Sequence, residues 1–537
     1  MSGSARRPEK KARFQSGEWR KFHFPFDEKV NFGFPQCMKM PLACSFLLCA
    51  VALSQGRPPN VLILCADQLR YQSVGYAGDK QAITPNIDKL AEQGVNFRQF
   101  VANTPVCSAF RASLLTGKYA SSTGVVVNEL RLNPNHDSIA HVFKKAGYSC
   151  ELIGKWHLWA NQAGKHAMTE NAFVPPGEYR MGFDGFWAGY NFNHQNYRAR
   201  YWRDSPEPIA IDGFGSTHFT DLVIDRLNTH AKDDQPFFMM VAYSPPHDPW
   251  VPGNVPAEWL EKFKQVEFPY PATMKDVPDQ RMDRNTQQKR WDNYWKPQMD
   301  ALQRVYYAMT SALDQEIGRV LKSLQDTGLT DNTIVVFTSD HGEMFGAQGR
   351  VFKMTFYEEA ARVPFVIRWP GKIPGGLVSD ACVSTVDMMP TLLGLAGQPI
   401  PPGVEGMDVS HLAQGKVGKE PEFALLQGMG HTFLWNDGFE WRALRDKQYT
   451  YARYLSDGKE LLFDNLNDPI QSKDLTMDLP DVVVRLRKQM NARMAELGDP
   501  FKPCSWYRDN WTENRVIMRG GKGGFQRTLY PQVMVDP

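Results

Sequence analysis

The chain has 537 residues, 42% hydrophobic and 22% charged, with a formal net charge of +2. That length allows two to four domains and a large core, and the near-balanced charge implies no strong polyanion partner, so no nucleic acid is expected. No stretch reaches the roughly 20 apolar residues of a membrane-spanning helix, so no transmembrane anchor is expected.

The first part of the chain differs from the rest. Met1 to Lys29 is basic and aperiodic. Residues 38–54 then read as a secretory signal: Lys39, an apolar run from Leu42 to Leu53, and small residues Ala50, Ala52 and Ser54 near its end. This predicts a secreted or periplasmic protein, with translation starting at Met38 or Met40 and residues 1–37 a non-structural or mis-annotated extension. Of eight cysteines, Cys37, Cys44 and Cys49 fall in that part. Cys65, Cys107, Cys150, Cys382 and Cys504 form neither a disulfide framework nor a CxxC metal pair.

From Pro59 onward strand and helix patterns alternate. "NVLILCADQ" is a continuous apolar run, as in a strand buried on both faces of a parallel sheet. "TPNIDKLAEQGVNF" reads as a helix capped by Asn86 and ended by Gly94. "IAHVFKKAGYSCELIGKWH" reads as helix, glycine turn and strand, and "PFFMMVAYSPPHDPW" as a buried strand running into prolines. "YYAMTSALDQEIGRVLKSLQDTGL" is a long amphipathic helix, and "NTIVVFTSDHGE" is another buried strand. The pattern predicts an α/β fold: a large, doubly wound, mostly parallel sheet flanked by helices, over residues 57–420. "FEWRALRDKQYTYARY" and "GKELLFDNLNDP" alternate with period two before a helix. Residues 421–497 are therefore expected as a smaller C-terminal α+β domain with an antiparallel four-stranded sheet, and 498–537 as an irregular tail.

Two apolar runs end alike, in Asp67-Gln68 and in Asp340-His341. Loops at the carboxyl ends of strands form the ligand site of an open α/β sheet. Two carboxylates, an amide oxygen and an imidazole there could converge on one divalent cation, or each Asp could simply cap a turn. "TPVCSAFRASLLTG" places Cys107 at a helix start, capped by itself or Ser108, with Arg111 one turn on and on the same face. A thiol at a helix N-terminus beside a guanidinium would be acidified. Core residue, papain-like nucleophile and precursor of a modified residue all remain open from this stretch alone.

"CSAFRASLLTG" resembles the signature of the type I sulfatases of the alkaline phosphatase-like superfamily, Cys-x-Pro/Ala-x-Arg followed by a Leu-Thr-Gly turn, with Ala at position 109. The resemblance runs from about Pro59 to Leu475. "GKWHLW" is similar to the family's second signature, "SPPHDPW" to the segment bearing a further histidine, and "GRVFKMTFYEEAARVPFVI" to that bearing a sulfate-binding lysine. It implies that Cys107 is converted to formylglycine by a formylglycine-generating enzyme. It also implies catalytic roles for Cys107, Arg111, Lys155, His157, His247 and Lys353. The hydrated aldehyde would be the nucleophile, His247 the acid for the leaving oxygen, and His157 the base that regenerates the aldehyde. Asp67, Gln68, Cys107, Asp340 and His341 would bind one divalent metal, with Ca2+ the family's usual ion. His341, where Asn is common, brings a nitrogen that suits manganese or zinc; Mn2+ and Mg2+ stay open beside Ca2+.

"FWAGYNFNHQNYRARYW" is rich in aromatics, His and Arg. Trp187, Tyr190, His194, Tyr197 and Arg200 could bind a sulfated sugar, or the segment could be a packed insert. The expected activity is hydrolysis of a carbohydrate sulfate ester. Alternatives are a phosphonate monoester or phosphodiester hydrolase on the same scaffold, a catalytically silent protein that binds sulfated glycans and, more distantly, a cysteine peptidase.

Overall fold

The structure, a computed structural model, describes residues 57–128, 130–159, 168–281, 288–430, 437–510 and 515–517. The extension and signal pattern read in residues 1–54 lie outside the described residues, as do 518–537 of the tail.

The central layer is an eight-stranded sheet. In chain order its strands are β1 (Asn60–Ala66), β2 (Val95–Phe97), β3 (Ser149–Lys155), β4 (Trp187–Tyr190), β5 (Phe237–Ala242), β6 (Thr333–Ser339), β7 (Phe365–Arg368) and β8 (Leu377–Ser379). Their order across the sheet is β8-β2-β7-β6-β1-β5-β3-β4. All neighbours are parallel except β7, which runs antiparallel to β6 and to β2. The continuous apolar runs have the expected cause. Along β1, Val61, Ile63 and Cys65 enter one core and Leu62, Leu64 and Ala66 the other, so neither face meets water.

Helices cover both faces. On one lie α1 (Pro85–Glu92), α3 (Gly215–His230) and the 31-residue α4 (Lys296–Asp326). On the other lie α2 (Cys107–Thr116) and α5 (Thr385–Leu395). Helix α1 starts two residues earlier than the sequence reading placed it: Thr84, not Asn86, is its N-cap residue, Pro85 opens it, and Gln93 closes it. Asn86 instead bonds Asp314 of α4, which accepts from the backbone N–H groups of Asn86 and Ile87 and so caps α1 from outside.

Strands β9 (Ala424–Gly428), β10 (Trp441–Arg445), β11 (Tyr449–Tyr454) and β12 (Glu460–Asp464) form an antiparallel meander. Helix α6 (Pro480–Glu496) packs Val483, Leu486 and Met490 on the face bearing Leu425, Leu444 and Leu462. The opposite face buries Leu426, Trp441 and Phe463 against Phe356, Tyr357 and Ala360. The tail is less irregular than expected: Cys504–Asn510 is helical, and Arg515–Ile517 pairs antiparallel with Leu130–Leu132. That pairing joins distant segments, which local periodicity does not register.

Candidate functional site

Strand register brings the chemistry together. Ala66 pairs with Ser339, and both Cys65 and Gly154 flank Ala242, so β6, β1, β5 and β3 end side by side. The residues just beyond those ends are Asp340-His341, Asp67-Gln68, the loop to His247, and Lys155. Helix α2 begins over the same edge. Cys107 is its first helical residue; Val106 is the N-cap residue and gives no side-chain cap, contrary to the cap expected from Cys107 or Ser108. Ser108 Oγ donates to the His157 carbonyl at 2.7 Å, and Arg111 Nη1 to the Lys155 carbonyl at 2.9 Å, pinning α2 to the end of β3. Gln68, His157, Phe352 and Met354 take left-handed backbone conformations, with φ of 67°, 58°, 68° and 67°. The last two flank Lys353. Such strain persists only where surrounding packing enforces it.

Ten sequence-predicted residues, from Asp67 to Lys353, converge in one buried cluster, His157 through the Ser108 link. Asp67 divides its oxygens. Oδ2 accepts from Lys155 Nζ at 2.5 Å and Arg111 Nη2 at 3.4 Å. Oδ1 faces Cys107 Sγ at 3.9 Å, His341 Nε2 at 3.7 Å and His247 Nε2 at 3.9 Å. Arg111 Nη2 also reaches Asp340 Oδ2 at 3.2 Å. Lys353 Nζ stands between Cys107 Sγ (3.2 Å) and His247 Nε2 (3.0 Å). His341 Nε2 is 3.1 Å from Cys107 Sγ.

Electrostatics follow from burial opposed by partners. Burial alone would raise the Asp67 carboxyl, but Lys155 and Arg111 overcome it and hold it at about 2. Burial, then Lys353, pushes His341 down to about 4 and His247 well below the usual imidazole range. Their Nδ1 atoms face the carbonyls of Gly342 (3.0 Å) and Asp248 (2.8 Å). A carbonyl only accepts, so Nδ1 carries the proton and Nε2 offers a lone pair to the site. The thiol of Cys107 is not acidified. Burial raises it, and Lys155 and Lys353 offset this incompletely.

The donors fit a cation. Asp67, Cys107, His247 and His341 each offer an atom within 4.8 Å of the others. Gln68 Oε1 is buried without a hydrogen-bond partner, while its Nε2 donates to Glu343 Oε2 at 2.6 Å. A bare amide oxygen beside two carboxylates is what a hard cation would satisfy.

The expected sugar platform divides. His194 is 9% exposed and lies parallel to His247, ring centroids 3.5 Å apart at 5°. Tyr190 is buried at the end of β4, paired with Lys155 and within the field of Asp67 and Arg111. Tyr197 packs on Phe214, and Arg200 is exposed on a two-stranded ribbon with Ile209–Ala210. Trp187 has to be reassigned. It is 1% exposed, with Arg180 over its ring and Trp156 on its edge, so no face is left for a sugar. Its place in β4 points it into the core, a consequence of strand alternation that aromatic density conceals. Two residues that sequence reasoning passed over belong here: Glu343, and Phe192, whose ring lies 4.9 Å from His157 and under Lys155. Glu343 follows His341 by two residues, a signal that was available in "SDHGE".

A family model described as Sulfatase matches residues 59–398, and one described as N-sulphoglucosamine sulphohydrolase, C-terminal, matches 346–499. The chain is 35% identical over 455 residues to the ulvan-active sulfatase of Formosa agariphila, covering 84% of this chain and 83% of that one. It is 28% identical to the endo-4-O-sulfatase of Bacteroides thetaiotaomicron, over 86% of this chain and 96% of the other. The crystal structure of a yidJ sulfatase from Bacteroides fragilis superposes with a TM-score of 0.73 at 28% identity, covering 84% of this chain and 98% of that one.

Proposed function

The chain belongs to the sulfatase family and is a sulfuric ester hydrolase, and from that premise we propose that it desulfates a sulfated saccharide, with Cys107 matured to formylglycine by a formylglycine-generating enzyme. The observation that carries this reading is Cys107 at the first position of α2, within reach of Asp67, His341 and Lys353. The saccharide is inferred from the relatives, one named for ulvan and one an endo-4-O-sulfatase. Their names also speak against the phosphonate and phosphodiester alternative.

Asp67, Gln68, Asp340 and His341 would hold one divalent cation. With three oxygen-bearing side chains among the four, Ca2+ is the proposed ion, ahead of Mn2+ and Mg2+. The cation would supply charge for a sulfate oxygen and lower the pKa of an adjacent hydroxyl. Arg111 and Lys155 hold the Asp67 and Asp340 carboxylates in place. Lys353 is the ligand for a sulfate oxygen. Its ammonium now donates to His247 Nε2, so a sulfate that draws it away frees that nitrogen to take a proton from solvent and pass it to the leaving oxygen. His157 serves as base on residue 107. His194 and Tyr190, with Tyr197 and Arg200, would meet the sugar. We further assign residues 57–420 to the catalytic domain and 421–497 to a subdomain, and place the mature protein in the periplasm or outside the cell.

The test joins mass spectrometry to kinetics. The peptide spanning residue 107, from protein coexpressed with a maturation enzyme, should weigh less by the difference between CH2SH and CHO. Sulfate release from sulfated oligosaccharides should appear with that conversion and vanish in Cys107→Ala. An unconverted peptide in fully active enzyme, or activity confined to aryl sulfates, would overturn the reading.

A further inference from the structure

Before any conversion the donors at the strand ends form a different kind of metal site. Sγ of Cys107 is a soft ligand, and two imidazoles present their unprotonated Nε2 atoms beside it. Both rings are held by an Nδ1–H bond to a backbone carbonyl, the outer support that fixes the tautomer of metal-binding histidines. Asp67 keeps Oδ1 turned toward all three, because Lys155 and Arg111 occupy Oδ2. The four ligand atoms lie within 4.8 Å of one another. Zinc bonds of about 2.0–2.3 Å require tetrahedral ligand separations of roughly 3.3–3.7 Å, so only small side-chain movements separate this cluster from a zinc site.

We infer that the thiol form of this chain binds Zn2+ through Cys107, His247, His341 and Asp67, and that losing the sulfur at residue 107 removes the preference for zinc. This set differs from the one proposed for catalysis. His247 and the sulfur join it, while Gln68 and Asp340 stay outside. The ammonium of Lys353 now sits between Sγ and His247 Nε2. Binding therefore exchanges one cation for another: the Zn–S bond forms, the S–H proton leaves to solvent, and Lys353 swings aside. No electron is transferred. The site itself rests only on encoded side chains; the contrast with a converted residue rests on the maturation proposed above.

The experiment uses the full chain, purified with residue 107 confirmed as a thiol, and Co2+ as the spectroscopic stand-in for zinc. Titration should raise a thiolate-to-cobalt charge-transfer band and intense four-coordinate visible bands, both saturating at one equivalent and bleached by Zn2+. The near-isosteric Cys107→Ser should lose the charge-transfer band; because the other cysteines remain in that variant, the loss assigns the band to Cys107. His247→Ala should weaken Zn2+ binding by about tenfold or more. A six-coordinate cobalt spectrum without the band, a band that survives Cys107→Ser, or unchanged affinity in His247→Ala would overturn the inference. Activity is not read, so failure of the glycan sulfatase proposal would leave the band in place. An active enzyme whose thiol form ignores zinc would sink this inference alone.

Discussion

The side-chain amide of Gln68 has two ends with different tasks. Glu343, buried, accepts Nε2 at 2.6 Å, and its other oxygen accepts the backbone N–H groups of Phe345 and Phe352. A carboxylate only accepts, so the amide cannot flip without placing oxygen against oxygen, and Oε1 is kept for the cation. Glu343→Gln removes that constraint. Its expected effect is a loss of about 10–100-fold in divalent-metal affinity, measured by chelator competition. In a Gln68→Ala background the same substitution should cost nothing more; an undiminished further loss would show that Glu343 acts by another route. Arg111 is similarly committed, being 1% exposed between two buried carboxylates. Arg111→Met should destabilise the fold by about 3–5 kcal/mol in denaturant titration, because the buried Asp340 carboxylate loses its guanidinium partner while Asp67 is left with Lys155 alone.

At the level of elements, the site is a consequence of register. Gly154 lies at φ 103° in β3, where an added Cβ would stand 2.1 Å from the Ala242 carbonyl oxygen. Close approach of β3 to β5 at that point sets where Lys155 emerges. Gly154→Ala is expected to cost about 2–4 kcal/mol in chemical unfolding and to reduce turnover by displacing Lys155 from Asp67. The apolar runs of β1, β5 and β6 and their acidic ends were readable from the chain because strands buried on both faces leave continuous hydrophobic text. Helix α2 was readable too, but its cap was not. A first helical position looks the same in sequence whether a side chain caps the helix or the helix start is left to the site. Trp187 shows the complementary failure, since the side of β4 a residue faces depends on pairing with β3.

For the molecule as a whole, cation binding and proton binding both couple to folding. A ligand that binds only the folded state adds stability, about 2.7 kcal/mol at 100 times its Kd. Calorimetry should therefore show Tm rising with Ca2+ and falling with a chelator; a Tm indifferent to Ca2+ would count against the oxygen site. Glu359, 9% exposed, is pushed up to about 7 by burial, which its hydrogen bond and Arg70 offset only in part. An acid raised in the folded state holds a proton that the unfolded chain has lost. Its contribution to stability is full below its ordinary 4.5 and declines as pH rises to about 7. Glu359→Gln should flatten that decline and gain on the order of 1–3 kcal/mol at pH 8, read from urea midpoints across the range.

The sequence alone determined the layout of strands and helices, the cysteine-arginine turn and the family resemblance. These are written in local periodicity and short spacings, which a linear text preserves. Tertiary structure decided which groups meet: the division of the Asp67 oxygens between cations and site, the stacking of His194 on His247, and the hold of Glu343 on Gln68. Each joins residues that lie far apart in the chain or whose facing depends on strand pairing, and their contact follows from the common edge at which four parallel strands end.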